Sequence, residues 1–215
     1  MPPSTAAESP YERVLGERIF QLHPGLQAYF RGIPAGYRGV GTGMFSTVGT
    51  SRRWLWPALW VLARQGVLFP VWERDVPFTV VNRGIRGSSG QVAVTAVRTF
   101  RLPSGDRHMM DAVTASASGL TDYLGIRRRY RARFEVSVVG GALAMTSTAV
   151  AVRFGRLWLR VPPLIAPIVT LSERYDDAAG RQHVEVITSV RGLGRVYEYA
   201  GSFEYALVQE EGGAA

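Results

Sequence analysis

The spacing of apolar residues changes once along this chain, and the change falls near Val76. Before it, Tyr11, Val14, Leu15, Ile19 and Leu22 recur at three and four, the period of one helical face. Ser9-Pro10-Tyr11-Glu12 supplies the start: a capping hydroxyl, a proline suited to the first helical position, and the glutamate of a capping box. His23-Pro24-Gly25 interrupts the helix, "LQAYF" predicts a further short turn of it, and "RGIPAG" stops it. "YRGVGTGMFSTVGTS" reads either as a strand or as a glycine loop. As a strand, its Gly39, Gly41 and Gly43 bare one face for close approach by another chain or a ligand. Trp54 to Pro70 predicts a helix, with Trp54, Leu55, Ala58, Leu59, Leu62 and Ala63 on its stripe. Arg64 and Gln65 end its apolar run too early for a membrane span. A helix packed on a sheet is the expectation, and a helix lying in a lipid interface the alternative.

After Val76 the period is two. "QVAVTAVRTFRL" puts Val92, Val94, Ala96, Phe100 and Leu102 on one face, with Arg98 intruding. "PSGD", Gly140-Gly141, "DDAAG" and "RGLG" separate later alternating segments, the pattern of antiparallel hairpins. "GSSG" (87–90) reads as a mobile turn. In "RVYEYAGSFEYALV", Tyr197, Tyr199, Phe203, Tyr205 and Leu207 share one face, and Gly201 on that face marks a bulge or a close approach. The expected fold class is α+β: N-terminal helices packed on a large curved antiparallel β-sheet or half-barrel of eight or nine strands. The expected organisation is a disordered leader (1–8), one domain (9–208) with a mainly helical cover (9–75) over the sheet (76–208), and a disordered tail (209–215).

Composition narrows the chemistry. With no cysteine, disulfides, thiolate metal sites and a cysteine nucleophile are excluded. The net charge is +8, every basic side chain is arginine, and the arginines are spread along the sequence, which predicts solvated strand faces. "RRRYRAR" (127–133) is the exception, a candidate contact for phosphate or lipid headgroups. Nucleic acid is not expected, because only Tyr130 interrupts that run as a stacking surface. The N-terminus shows no basic region followed by an apolar run, so the expected location is cytoplasmic, with peripheral contact at the inner membrane surface as a variant.

No catalytic signature stands out. There is no GxSxG elbow. His23, His108 and His183 are scattered, so no metal and no cofactor is expected. His108, Asp111 and Asp122 are the candidate acid/base groups, although His108 and Asp111 fall on opposite faces of a strand. Arg98 and Glu173 interrupt apolar faces and, if buried, must be paired; either could hold a ligand or form a structural ion pair, and the structural pair is the expectation.

The order of "SPYERVLGERIFQLHPGLQAYF", "GVGTGMF", "RTFRLPSGDRHMMD", "RVPPLIAP" before "LSERYD", and "GRVYEYAGSF" resembles the bacterial domain-of-unknown-function family 4166, from about Ser9 to Tyr205. Some members of that family join this domain to a nucleotide-dependent oxidoreductase domain; no GxGxxG between a strand and a helix occurs here. The resemblance implies a shared architecture and assigns no catalytic residue.

Three functional expectations follow. The first is non-catalytic binding of a hydrophobic or amphipathic small molecule in the sheet's concavity. Trp158, Tyr197, Tyr199, Phe203 and Tyr205 would line that cavity, Arg98 would meet any acidic headgroup, and Glu173 is a further ligand-binding candidate. The second is an enzyme using the acid/base groups in the same cavity. The third is an accessory domain that docks on a membrane surface or a partner.

Overall fold

The computed structural model describes residues 6–87, 90–117 and 119–210. Residues 1–5 of the expected leader, residues 211–215 of the expected tail, and Ser88 and Ser89 of "GSSG" lie outside the described residues.

Ser9 caps the first helix, α1 (Pro10–Leu15). Its hydroxyl accepts from the Glu12 N–H at 3.0 Å, and Glu12 accepts from the Ser9 N–H at 2.7 Å. Gly16 ends α1, and the chain tightens into a 3-10 turn over Gly16–Gln21 that keeps Ile19 buried. The His23 side chain accepts from the Gly25 N–H at 3.1 Å and caps α2 (Pro24–Phe30).

The strands are β1 (Tyr37–Gly49), β2 (Trp72–Glu73), β3 (Val76–Arg86), β4 (Val92–Leu102), β5 (Gly105–Ser116) and β6 (Gly119–Leu124). They continue as β7 (Tyr130–Val139), β8 (Ala142–Phe154), β9 (Leu157–Arg160), β10 (Pro167–Asp176), β11 (Arg181–Val190) and β12 (Gly194–Gln209). The glycine-rich segment is therefore a strand, placed inside the region expected to be helical. Its bare face is filled from within the chain: a Cβ at Gly39 would collide with the Tyr205 hydroxyl.

The sheet is not open. It runs β10-β11-β12-β1-β3-β4-β5-β6-β7-β8, and β8 pairs with β10 from Leu143↔Glu173 to Thr146↔Thr170, closing a ten-strand antiparallel barrel. This corrects the half-barrel expectation. The closing pair and the β1–β12 pair join segments that no hairpin turn links, so turn signals could not reveal them. Closure removes the edges that an open sheet would expose. β9 lies outside the ring, as a flap on the end of β8.

Nor do the helices roof the concave face of an open sheet, since the sheet closes on itself. Leu15, Ile19, Leu22, Leu26, Tyr29 and Phe30 belong to the same buried cluster as the inward strand residues. Phe45, Phe78, Phe100, Tyr199 and Phe203 fill the lumen, with Phe45 and Phe78 stacked at 3.9 Å. Each such side chain contributes roughly 1.5–3 kcal/mol on burial.

The tryptophan segment departs from expectation as well. Its α-helix, α3, spans only Trp56–Ala63 after a 3-10 turn at Arg53–Leu55, and Leu59 is its one buried residue. Trp54 and Trp60 are 60% and 53% exposed. Among the described residues no helix is long and apolar enough to cross a membrane.

Alternation of strand direction sorts the connections between two ends. The helix end carries α1, α2 and the hairpin turns 140–141 and 177–180. There the His23 N–H donates to the Gly141 carbonyl at 2.9 Å, and the His23 ring stacks on Tyr175 at 4.9 Å. The opposite, loop end carries α3 and its flanks (50–75), the turns 103–104, 125–129 and 191–193, the tip of the β8–β9 flap and the segment 161–166.

Candidate functional site

Two places gather chemistry. The first is the lumen. Arg98 on β4 and Asp111 on β5 point inward and form an ion pair. Burial opposes the Arg98 charge, and Asp111 more than offsets that, so the guanidinium is held more firmly than usual. Asp122 on β6 sits diagonally from Asp111, because Asp122 is opposite Val113 and Leu124 opposite Asp111. Its Oδ1 is enclosed without a hydrogen-bond partner. Burial, then repulsion from Asp111, pushes the Asp122 carboxyl well above the usual range, and the Arg98 charge partly offsets this.

Glu173 on β10 is 4% exposed and accepts from the Gln182 side-chain amide. Burial pushes its carboxyl up to about 7. β10 and β4 are five positions apart in a ring of ten, on opposite walls, yet Glu173 and Arg98 border one small cavity with Tyr29, Tyr199 and Phe203. That cavity is about 20 Å³, enough for one water and far below the several hundred Å³ of a small-molecule site.

A pH effect follows from Glu173. Its ordinary value is 4.5, so between pH 4.5 and about 7 the folded state keeps a proton that the unfolded chain releases. Stability from this group is complete below 4.5 and is lost as pH rises through 7. Glu173→Gln keeps the size and the acceptor for Gln182 without the charge. It is expected to raise stability by roughly 2–3 kcal/mol at pH 8 and to change little at pH 4. Urea midpoints of both proteins at the two pH values check this; equal midpoints at pH 8 would mean the charge is compensated.

The aromatic face of β12 points inward as its alternation predicts, but its members are engaged. The Tyr197 hydroxyl accepts from the Phe69 N–H at 3.4 Å. Tyr205 accepts from the Asn82 amide at 3.4 Å and meets Tyr29 edge-on at 4.8 Å. Phe203 packs on Phe78 and Tyr29. Gly201 marks a close approach, since a Cβ there would collide with the Met44 carbonyl, opposite a bulge in β1 between Phe45 and Thr47. Trp158 is not in the lumen. β9 stands outside the ring, and the Trp158 ring lies on the outer wall over the Arg131 guanidinium at 4.4 Å, edge-on to Tyr123. His108 also faces outward, hydrogen-bonded with the Thr99 hydroxyl at 3.0 Å, and has no link to Asp111. Of the acid/base candidates, only Asp111 and Asp122 come together.

A family model for this domain matches residues 22–203, most of the barrel and α2. The chain belongs to the family described as a domain of unknown function, DUF4166. No curated protein and no solved structure matches it. The family resemblance read from the motifs is therefore correct, and in this DUF4166 chain the motifs map onto the barrel frame: "GVGTGMF" is the glycine face of β1, and "RTFRLPSGDRHMMD" is the β4–β5 hairpin that carries Arg98 and Asp111.

The second place is the loop end of the DUF4166 barrel. The segments 50–75, 101–107, 125–129, 153–166 and 191–198 hold fourteen of the 25 arginines and only four carboxylates, so the excess positive charge of the chain resides there. Of eighteen exposed large apolar residues among the described ones, twelve lie on or beside the same loops. Scattered exposed apolar residues are ordinary, but a concentration at one end is not. Linear spacing hid this cluster, because its members come from connections far apart in sequence. The elements are joined: the Ile126 N–H donates to the Gln65 carbonyl at 2.8 Å, and the Arg153 N–H donates to the Arg129 carbonyl at 2.7 Å. α3, the β6–β7 turn and the β8–β9 flap thus form one continuous rim.

The flap is two-faced. The pairs Val152↔Leu159 and Phe154↔Leu157 lie on the side continuous with the barrel interior, and past the barrel's end three of them are exposed: Phe154 (64%), Leu157 (69%) and Leu159 (53%). The other side carries Arg153, Trp158 and Arg160.

Proposed function

We propose that the protein is a peripheral binding domain that docks by its loop end on an anionic lipid surface. The observation that carries this reading is the coincidence, on one rim, of the chain's excess positive charge with most of its exposed apolar side chains. Trp54, Trp60 and Val61 of the α3 region, and Leu164 and Ile165 before β10, stand beside arginines, the mixture suited to the headgroup zone. Arginines near an anionic surface contribute about 1 kcal/mol each. The barrel wall is not built to span a bilayer. Charged residues such as Arg133 and Glu135 face out and apolar ones face in, the reverse of a lipid-facing barrel.

A small molecule held in the lumen, which the aromatic face of β12 favours from sequence, finds little room beside Arg98 and Glu173. The enzyme reading draws no support from that cavity either, since neither Asp111 nor Asp122 lines it.

The test is flotation with vesicles. The full chain is expected to float with phosphatidylglycerol-containing vesicles at low salt and with phosphatidylcholine vesicles far less. High salt should weaken, without abolishing, the anionic binding, because screening removes charge attraction and leaves the apolar part. A chain that stays at the bottom of the gradient with anionic vesicles at low salt overturns the proposal.

A further inference from the structure

The outer wall beside the flap carries a distinct constellation. Strand alternation in "RRRYRAR" turns Tyr130 and Ala132 inward and sends Arg131 and Arg133 outward. The register then sets Arg131 opposite Ala151, Ala151 opposite Arg160, and Arg133 opposite Ala149. Two arginines thus stand on either side of a strand whose residues between them are alanines, about 10 Å apart at the backbone. The small side chains leave a slot of about 220 Å³ above Ala149 and Ala151, walled by Arg131, Arg133 and Arg160.

None of the three arginines forms an ion pair among the described residues. Glu135, the nearest carboxylate on the outer face of β7, pairs with none of them. Arg131 is held in place by Trp158 and not by an anion, so its guanidinium is oriented while its charge stays uncompensated. Three planar, permanently charged forks around one hollow fit a tetrahedral oxyanion, which accepts from several donors at once.

We infer that this slot binds a phosphate group, either free or on a lipid headgroup. The slot stands on its own geometry; only the lipid-borne source rests on the docking proposal above.

The probe is inorganic pyrophosphate, titrated calorimetrically into the full chain at low ionic strength. Saturable binding is expected. Arg133→Gln/Arg160→Gln should weaken it at least roughly tenfold, from the loss of two charge-assisted hydrogen bonds. Arg18→Gln/Arg86→Gln, the same charge change at the helix end and away from the slot and the rim, should alter it less than about twofold. All four side chains are exposed, so both variants should keep the wild-type melting temperature. Absence of saturable binding to wild type, or equal weakening by both variants, overturns the inference.

Vesicles distinguish the source. A preference for phosphatidic acid over phosphatidylglycerol at matched surface charge, lost in the slot variant, supports a lipid phosphomonoester. No such preference, with pyrophosphate binding intact, assigns the slot to free phosphate. Pyrophosphate binding without any flotation keeps the slot and removes the docking proposal. Flotation without pyrophosphate binding does the opposite.

Discussion

Replacing Phe154 and Leu157 by aspartate should reduce partition onto anionic vesicles by two to three orders of magnitude and leave the fold intact. Both side chains lie at the tip of the flap, 64% and 69% exposed. In water they contribute little to folding, so their loss should move the melting temperature by no more than about 2 °C. In a lipid interface each would be transferred from water, worth roughly 1.5–3 kcal/mol per fully buried side chain. Two such losses, with two added charges facing an anionic surface, multiply into the expected effect at tenfold per 1.4 kcal/mol. Flotation over a range of lipid concentrations measures the partition. Phe20→Asp is the control: Phe20 is as exposed as Phe154 but lies at the helix end, and its replacement should leave partition unchanged. If the flap variant binds as wild type does, the flap is not what enters the lipid.

Arg98→Met is expected to cost about 3–5 kcal/mol of stability at pH 8, because it strands the buried Asp111 carboxylate without its partner. For a chain of this length that is roughly a 10 °C fall in melting temperature. The loss should be smaller at pH 5. Without the guanidinium, Asp122 and Glu173, whose carboxyls its charge holds down, gain protons more easily, and a neutral carboxyl beside Asp111 repels it less than a charged one. Arg98→Met combined with Asp111→Leu should recover most of the loss, since no uncompensated charge remains. Denaturant melts of the single and double variants test this. A single variant within about 1 kcal/mol of wild type would mean that water reaches the pair. A double variant no better than the single would mean that Arg98 chiefly serves Asp122 and Glu173, the other carboxyls influenced by its charge.

The two halves of the molecule differ in how they answer to pH and salt. Inside, Glu173 and Asp122 are shielded by the barrel wall, so their titration reads out as stability and is insensitive to added salt. At the loop end the charge is carried by guanidinium groups, a group that does not lose its proton in proteins, and most of them are exposed to solvent and salt. Their effect should appear in binding, should fall with ionic strength, and should be nearly flat with pH.

Much of the local structure was legible along the chain. The capping box at Ser9, the His23-Pro24-Gly25 break, the Gly140-Gly141 hairpin and the inward aromatic face of β12 are dictated by residues within a few positions of one another. Period two is a property of the strand itself, so the inward placement of Arg98 and the opposite faces of His108 and Asp111 also followed from sequence.

Only the tertiary structure decided the rest. Closure depends on β8 meeting β10 and β1 meeting β12, pairings between distant segments that leave no local signal. That closure turned an expected hollow into a filled lumen, because a ring of inward aromatic side chains plus the N-terminal helices occupies the space an open sheet would have left. It also turned arginines spread evenly along the sequence into a charged rim, because an antiparallel ring delivers every second connection to the same end. Spacing along a chain specifies which face a side chain takes; which faces and loops then become neighbours is settled by long-range pairing, and there both the lumenal cluster and the loop-end surface are made.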